Sequence, residues 1–227
     1  MQQNASKKRF FYYKYFMILY RFNLTNKIQV VKYNITFTEE RIFCMHPWHQ
    51  VAHYSEFPSI IPAIIEVPKG SQIKYELDKR SGLLKVDRIL YSAVHYPANY
   101  GFIPQTYGDD NDPLDILVLS QFPVAPLCIM RARPIGVMKM VDGGESDDKI
   151  IAIHEDDPLY NCYTHIDQLP PHTLKTLQRF FEDYKVLEQK EVHIEKFLGP
   201  DEALKLIYEA REYYEQKKTE LPGYDSY

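Results

Sequence analysis

The apolar residues of this chain follow two different patterns, and the change between them divides the sequence. In the first part, short apolar runs are separated by segments rich in Pro, Gly and Asp, such as 68–70 and 78–82. Short runs bounded by such turn residues are typical of β-strands. The pattern predicts strands at 61–67, 72–77, 83–90, 116–119, 128–139 and 150–153.

After residue 170 the apolar residues recur every three or four positions, which is typical of amphipathic helices. One predicted helix follows the Pro170-Pro171 pair, and another follows Gly199-Pro200. A series of strands followed by helices indicates an α+β fold, with a closed or highly twisted antiparallel sheet flanked by helices. The apolar helix positions are Leu174, Leu177, Phe181, Tyr184 and Leu187 in the first helix, and Ala203, Leu206, Ile207, Ala210 and Tyr214 in the second.

The charges are distributed unevenly along the 227 residues, although the net charge is only −4. Residues 1–41 contain eight basic and two acidic residues, a net charge of +6, which leaves −10 for the rest of the chain. An acidic main domain argues against nucleic-acid binding, because phosphate backbones require a cationic surface. The negative charge of this domain instead favours the binding of metal ions, or of substrates that are bound through metal ions.

The N-terminal part is expected to be separate from the main domain. Residues 1–43 form a basic extension, predicted to be a disordered or targeting segment, and 44–227 form one domain with a sizeable core. The apolar run 10–20 is interrupted by Lys14 and is too short to span a bilayer, which needs about 20 residues. Its acid-free composition suits an organellar transit segment, and the alternative is an added tail with translation starting at Met45.

A cluster of acids is the first candidate functional site. Between 89 and 130 the chain has no Lys or Arg, and within this window Asp109, Asp110, Asp112 and Asp115 place four carboxylates in seven positions. Like charges at such spacing repel unless cations neutralise them. Without Cys or a His pair nearby, carboxylates favour Mg²⁺, Mn²⁺ or Ca²⁺ over zinc. A solvated acidic turn before a strand is the alternative of equal weight at this point.

Further charged residues surround this cluster in the sequence. The segment 142–149 carries a second acidic group in a loop between two predicted strands, where a flexible hairpin tip is the simpler interpretation. Lys74 and Glu76 lie two apart in a predicted strand, so their side chains share a face. Glu66 and Arg88 are predicted to lie in neighbouring strands.

The cysteines and two of the histidines are assigned structural roles rather than metal binding. Cys44, Cys128 and Cys162 have neither metal-ligand spacing nor an even number, which favours a reducing compartment. Cys128 is expected in the core. His46 and His49 flank Trp48 and are assigned to packing in preference to metal binding.

Several motifs together resemble soluble inorganic pyrophosphatases of family I, over roughly 46–214. The segment 110–115 (DNDPLD) matches the family signature D-x-D-P-x-D, and 96–101 (YPANYG) and 180–185 (FFEDYK) match in the same order. The segments 46–49 and 156–158 resemble the plant-type branch. Residues 1–43 match nothing in the core of that family.

The resemblance implies a role for each matching residue. The implied reaction is Mg²⁺-dependent hydrolysis of pyrophosphate to two orthophosphates by a metal-bridging water, with Asp112 as general base and several Mg²⁺ ions per site. Asp110, Asp115 and Asp142 resemble ligands of two principal ions, and Asp147 and Glu66 resemble ligands of further ions. Lys74, Arg88, Lys149, Tyr184 and Lys185 resemble phosphate-binding groups, with Lys74, Arg88, Tyr96 and Tyr100 at the catalytic centre and Glu76 supporting it.

The resemblance also implies a fold, partners and a location. The fold would be a small closed five-stranded antiparallel β-barrel of OB-like type, with flanking helices and a C-terminal helix. We expect a homo-oligomer, with a hexamer as one candidate, a cytoplasmic location or a mitochondrial or plastid one through 1–43, no membrane span and no nucleic acid. Two alternatives to a pyrophosphatase are a divalent-cation or acidic-partner binding module and a metal-dependent hydrolase of nucleotides or phosphoesters.

Overall fold

The computed structural model describes residues 14–22, 28–36 and 45–224, which fall into two compact units, 1–43 and 44–227. In the first unit, β1 (Lys14–Phe22) and β2 (Ile28–Thr36) form a two-stranded antiparallel sheet, with Lys14 opposite Thr36. The targeting or disordered character of 1–43 stays a prediction.

The second unit contains the remaining elements, and each predicted strand and helix is present with bounds shifted by a few residues. In chain order they are β3 (Ile61–Val67), β4 (Ile73–Leu77), β5 (Leu84–Ile89), β6 (Asn99–Phe102), β7 (Asp115–Leu119), β8 (Ile129–Asp142), β9 (Glu145–Ser146), β10 (Lys149–His154), α1 (Pro171–Asp183), β11 (Val192–Leu198) and α2 (Pro200–Lys217). Short 3₁₀ helices lie at Ile166–Gln168, Val186–Glu188 and Lys218–Glu220.

Five strands close into a ring in the order β3, β6, β7, β10, β8 and back to β3. This ring and the two helices confirm the predicted α+β class and small closed sheet. The prediction of an all-antiparallel sheet is wrong at one pairing, because β7 and β10 run parallel. The chain between them includes β8, which runs antiparallel to β10, so β10 returns beside β7 in the same direction as β7.

The ring is filled by apolar side chains and covered by the helices. All seven residues of β3 are buried, which explains its nearly continuous apolar sequence IPAIIEV. On α2, Ala203, Ile207 and Ala210 pack into the same core cluster as Val137 of β8. On α1, Leu177, Phe180 and Phe181 pack against a second cluster that includes Tyr96 and Ile194. These two layers fix the ends of the strands that carry the site.

The hairpin β4–β5 forms a two-stranded sheet of its own. Arg88 of β5 lies opposite Lys74 of β4. Glu66 is on β3, in the seven-stranded sheet, so the prediction that Glu66 and Arg88 occupy neighbouring strands is wrong. The intervening β4 pairs with β5 through the tight turn at 78–83 and separates the two residues.

The segment that begins at residue 45 is packed into the fold. Trp48 is fully buried, and its indole N–H donates to the carbonyl of Thr106 at 2.9 Å. His49 lies 2.9 Å from the Tyr214 hydroxyl and 3.0 Å from the carbonyl of Pro222. The assignment of His46 and His49 to packing is therefore confirmed. Cys128 is exposed, so its predicted core position is wrong. Within 45–224 and the two N-terminal strands, no helix is long and apolar enough to cross a bilayer.

Candidate active site

One end of the ring opens into a cavity of about 590 Å³ in the second unit. Strands β3, β4, β7, β8 and β10, the C-terminal end of α1 and the turn before β7 all contribute to its wall. Each residue to which the family resemblance assigns a role lines this cavity, with the exception of Arg88. The lining residues that were predicted are Glu66, Lys74, Glu76, Tyr96, Tyr100, Asp110, Asp112, Asp115, Asp142, Asp147, Lys149, Tyr184 and Lys185.

The turn before β7 presents the first two aspartates. Asn111 adopts a left-handed backbone conformation (φ 65°), which reverses the chain sharply between Asp110 and Asp112. The turn is closed by the Gly108 N–H, which donates to the Asp112 carbonyl at 2.8 Å, and by the Asp112 N–H, which donates to the Asp110 carboxylate at 3.1 Å. Burial raises the pKa of Asp110 to about 6. Asp115 follows as the first residue of β7.

The hairpin of β8 and β10 presents a lysine between two carboxylates. The side chain of Lys149 is only 2% exposed, and its ammonium group pairs with both Asp115 and Asp147. Burial alone lowers the pKa of a lysine, but the two carboxylates outweigh burial and raise the pKa of Lys149. Burial also raises the pKa of Asp147, since charging an enclosed acid near Asp115 is costly.

The end of α1 supplies a matching group for Asp142 at the end of β8. Lys185 pairs with the Asp142 carboxylate, and the Tyr184 hydroxyl donates to the same oxygen at 3.3 Å. Tyr184 is the C-terminal cap of α1 and is buried, which raises its pKa and keeps it a hydrogen-bond donor. The segment FFEDYK thus delivers both groups to one acid.

The strands β3 and β4 form the opposite wall. Glu66 is buried and accepts a hydrogen bond from the Leu77 N–H at 2.7 Å. Burial, with Asp115 nearby, raises the pKa of Glu66 to about 8. Lys74 pairs with Glu76 at 2.6 Å, as expected for residues on one face of a strand. Burial opposes the charge on Lys74, but the Glu76 carboxylate raises the pKa of Lys74. Burial likewise opposes the charge on Glu76, but Lys74 lowers the pKa of Glu76.

Two tyrosines close the floor of the cavity. The Tyr100 hydroxyl donates to the Asp115 carboxylate at 2.6 Å. Tyr96 packs on Tyr100 and on Phe180 of α1, with ring centroids 5.3 and 4.8 Å apart. Burial raises the pKa of both tyrosines, so both are neutral donors near neutral pH.

Arg88 is the predicted residue that the structure places outside the cavity lining. Its guanidinium donates to Asp87 at 2.9 Å and lies 3.1 Å from the carboxylate of Glu188. It is nevertheless close enough to influence the pKa values of Tyr96 and Tyr184.

Sequence reasoning missed a group of charges at the turn between β4 and β5. Asp78, Lys79, Arg80 and Lys85 all line the cavity. Lys79 pairs with Asp112 and donates to the Asn111 carbonyl at 2.9 Å. The signal available in the sequence was the concentration of bases directly after the strand that carries Lys74 and Glu76. Glu145 and Ser146 of β9 also line the cavity.

The donor set suits a hard divalent cation better than a soft one. The acids that line the cavity offer carboxylate oxygens, and no Cys or His is among its lining residues in the described part of the chain. Burial, with neighbouring acids adding to it, raises the pKa values of Glu66 and Asp110, and a bound cation would favour their charged forms. As placed, no three His, Cys, Asp or Glu side chains of the described residues form a ready metal-binding group. Lysines pair with Asp112, Asp115, Asp142 and Asp147 instead.

Comparison with known proteins identifies the family to which this chain belongs. Residues 63–215 match the family model described as inorganic pyrophosphatase. The chain is 55% identical over 171 residues to soluble inorganic pyrophosphatase 2 of Chlamydomonas reinhardtii, covering 75% of this chain and 89% of that protein. It is 56% identical over 174 residues to soluble inorganic pyrophosphatase PPA1 of Solanum tuberosum, covering 77% and 82%.

Solved structures agree with the sequence comparison. The inorganic pyrophosphatase of Thermus thermophilus superposes with a TM-score of 0.73 at 33% identity, covering 75% of this chain and 99% of that one. The enzyme of Helicobacter pylori gives 0.70 at 41% identity, covering 73% and 99%. These matches confirm the resemblance found in the motifs, and the chain belongs to the inorganic pyrophosphatase family, in its plant-type branch.

Proposed function

We propose that this chain hydrolyses inorganic pyrophosphate to two orthophosphate ions in a Mg²⁺-dependent reaction. The observation that carries the proposal is the convergence of eight carboxylates with three lysines and three tyrosines on one cavity of about 590 Å³, excluding the turn residues 78–85. A substrate of three to four negative charges cannot enter an acidic cavity without cations, and this cavity offers both the acids to hold cations and fixed positive groups.

The cationic and hydroxyl groups are suited to bind the phosphates. Lys74, Lys149 and Lys185 approach the cavity from β4, β10 and the end of α1, and Tyr184 adds a neutral donor. Groups held by strands and a helix end keep their positions as charge spreads over the transferred phosphoryl group, and such fixed donors supply much of the rate in phosphoryl transfer. Arg88, beside Asp87 and Glu188, would bind at the edge of this set.

The acids are suited to hold Mg²⁺. Asp110, Asp115 and Asp142 would hold two principal ions, and Asp147 and Glu66 would hold further ions. Bound Mg²⁺ neutralises these acids, lowers the pKa of a coordinated water and stabilises charge on the phosphate oxygens. Lys149 and Lys185 would then exchange an aspartate partner for a phosphate oxygen, which links substrate binding to the loss of the pairs seen here.

Asp112 is suited to act as general base. Its side chain is half exposed and lines the cavity, and the left-handed backbone at Asn111 places it in the turn directly after Asp110. The attacking water forms a new P–O bond and transfers a proton to the Asp112 carboxylate. The bridging P–O bond breaks, and its electron pair leaves with the second orthophosphate, while Tyr96 and Tyr100 remain neutral donors beneath the site.

A substrate panel tests this proposal. With Mg²⁺, the chain should release orthophosphate from pyrophosphate and release far less from ATP or from a phosphate monoester. EDTA should abolish the release. Metal binding without turnover would favour a cation-binding module, and preferential cleavage of ATP or the monoester would favour a hydrolase of nucleotides or phosphoesters.

The compartment and assembly complete the proposal. Cys128 and Cys162 are free thiols, which supports the cytoplasm, while the basic extension 1–43 supports a mitochondrion or plastid as the alternative. Fractionation of the tagged full-length chain distinguishes these locations. We propose a homo-oligomer, with a hexamer as one candidate, and a sizing measurement on the full-length chain tests it.

A further inference from the structure

Lys79 has a fixed backbone and a side chain that reaches the proposed general base. It lies in the turn between β4 and β5, where neither the strands nor the proposed phosphate-binding set accounts for it. Its ammonium group pairs with the Asp112 carboxylate and donates to the carbonyl of Asn111 at 2.9 Å. Two contacts to successive residues hold one side of the left-handed turn.

The turn that carries Lys79 is itself tightly bonded. The Asp78 N–H donates to the Leu83 carbonyl at 2.7 Å, and the Gly82 N–H donates to the Asp78 carbonyl at 2.9 Å. The Asp78 carboxylate also accepts from the Ser81 N–H at 3.0 Å. The backbone from which the Lys79 side chain extends therefore has little freedom.

Two remote segments pack on the backbone of Lys79. The His46 ring lies 3.1 Å from the Lys79 carbonyl through its Nε2 atom. Gly223 also approaches so closely that a Cβ there would lie 2.3 Å from the same carbonyl oxygen. The chain at 46 and the chain at 223 thus enclose the Lys79 carbonyl, and neighbouring Pro222 lines the cavity itself.

Asp112 needs such a support because it is more exposed than the other acids of the cavity that pair with lysines. Its side chain is 52% exposed, against 34% for Glu76, 20% for Asp115 and Asp147 and 16% for Asp142, the other acids of the cavity that pair with lysines. Among the described residues, Lys79 is the cation that forms an ion pair with Asp112. A general base must be held within hydrogen-bond reach of the proton that it accepts.

We propose that Lys79 is a positioning residue that holds the Asn111–Asp112 turn, and with it the carboxylate of Asp112, in the geometry needed for proton transfer. The inference rests on the proposed function and extends it to a residue that acts through Asp112. Lys79 then affects turnover more than substrate affinity, because its partners are the turn and the base.

The experiment compares Lys79→Met, Lys79→Arg and a control, Lys205→Met, in the full-length chain with pyrophosphate and Mg²⁺. Lys205 is exposed on α2, pairs with Glu202 at 3.9 Å and does not line the cavity. We expect Lys79→Met to lower kcat by about tenfold to 100-fold with KM changed by less than about threefold, since small displacements of a reacting group cost rates of this size. Lys79→Arg should recover most of kcat, and Lys205→Met should match the wild type.

Three results would overturn the inference. One is a kcat for Lys79→Met within about twofold of wild type, which lies below the loss expected from a displaced group. Another is a raised KM with unchanged kcat, which would make Lys79 a group that binds substrate. The third is a lowered thermal unfolding midpoint with no recovery in Lys79→Arg, which would indicate a purely structural role. A wild-type chain that releases no phosphate overturns the proposed function and this inference together, whereas an active wild type with unaffected Lys79 variants overturns this inference alone.

Discussion

Two lysines form ion pairs with three carboxylates of the cavity. Lys149 pairs with Asp115 and Asp147, and Lys185 pairs with Asp142, while all these side chains are at most one-fifth exposed. Pairing offsets the high cost of enclosing charges that otherwise repel each other. We therefore expect the same lysines to stabilise the fold without metal and, under the proposed function, to bind phosphate with metal.

Replacing Lys149 tests this double role. In EDTA, Lys149→Met should lower the free energy of unfolding by about 3 kcal/mol, because Asp115 and Asp147 lose their buried partner. Mg²⁺ should recover a large part of the loss, since cations can neutralise the same acids. Urea denaturation with and without Mg²⁺ measures both values.

The control is Lys139→Met, which breaks the pair of Lys139 with Asp148 on the same hairpin, outside the cavity lining. Its loss of stability should be the same with and without Mg²⁺. Equal recovery by Mg²⁺ in the two variants would contradict the role assigned to Lys149.

His49 gives the fold a stability that depends on pH. Burial lowers the pKa of His49 from 6.5 to about 4, and the hydrogen bond to the carbonyl of Pro222 opposes this shift. The fully buried His46 ring, stacked 4.5 Å from the His49 ring, lowers the pKa further. The neutral ring accepts from the Tyr214 hydroxyl and donates to Pro222. Below pH 6.5, His49 is protonated in the unfolded chain but stays neutral in the folded chain. The folded state therefore loses stability as the pH falls from 6.5 towards 4.

Thermal unfolding between pH 7 and pH 4.5 measures this contribution. The unfolding midpoint of the wild type should fall more steeply with decreasing pH than that of His49→Gln, because glutamine at position 49 does not titrate. His172→Gln, at an exposed position of α1, serves as the control for replacing a histidine. Parallel pH profiles for the wild type and His49→Gln would contradict the assignment.

The site residues differ in how well the sequence reveals them. Asp110, Asp112 and Asp115 are apparent because their like charges are adjacent in the sequence and require neutralisation. Lys79 is not apparent, because its partner Asp112 lies 33 positions later and the two meet only through the fold. Arg88 was assigned to the site by motif, and its guanidinium turns towards Asp87 and Glu188 instead.

At the scale of elements, close packing of β3 against β6 depends on a glycine. A Cβ at Gly101 would lie 1.8 Å from the carbonyl oxygen of Ile64. Tyr100, the preceding residue, donates to Asp115, so a displacement of β6 would also reach the site. The segment YPANYG therefore serves the packing of the ring as well as the cavity.

Gly101→Ala should lower the free energy of unfolding by about 3 kcal/mol or more, because neither backbone can move without breaking the ring. The matched control is Gly70→Ala, where φ is 86° and no atom lies within 4 Å of the added Cβ. It should cost about 1 kcal/mol, the strain of a left-handed conformation alone. Urea denaturation compares them, and similar losses would contradict the packing argument.

Of the strands in the described residues, β1, β2, β6, β9 and β11 escaped the sequence pattern, and for β6 and β11 the physical reason is clear. β6 has only four residues (NYGF), and all four are buried, so it has no alternation of apolar and polar positions. β11 starts with alternation, but a register shift between Ile194 and Lys196 breaks it. The long strand β3 was predicted correctly because burial on both faces leaves an uninterrupted apolar run.

At the scale of the whole molecule, the chain separates a basic extension from an acidic domain. The net charge of +6 in 1–41 and of −10 in the remainder belong to different units. Among the residues that the structure describes, those that line the cavity lie between 66 and 222. The catalytic properties are therefore expected to belong to the second unit.

A chain that starts at Met45 tests this separation. Its kcat and KM for pyrophosphate should stay within about twofold of the full-length values, as expected for a domain with its own core. Sizing of both chains shows whether the extension affects assembly. Loss of turnover in the shorter chain would contradict the separation.

Asp112 is the group proposed to accept the proton of the water that attacks pyrophosphate. The most direct measurement is orthophosphate release in Mg²⁺ by the wild type, Asp112→Asn and Asp109→Asn. Asp109 is an exposed acid that precedes Asp110 and does not line the cavity, so its variant controls for the loss of one charge. We predict near-complete loss of kcat in Asp112→Asn, with an unchanged unfolding midpoint, and wild-type turnover in Asp109→Asn. Full activity of Asp112→Asn would contradict the account.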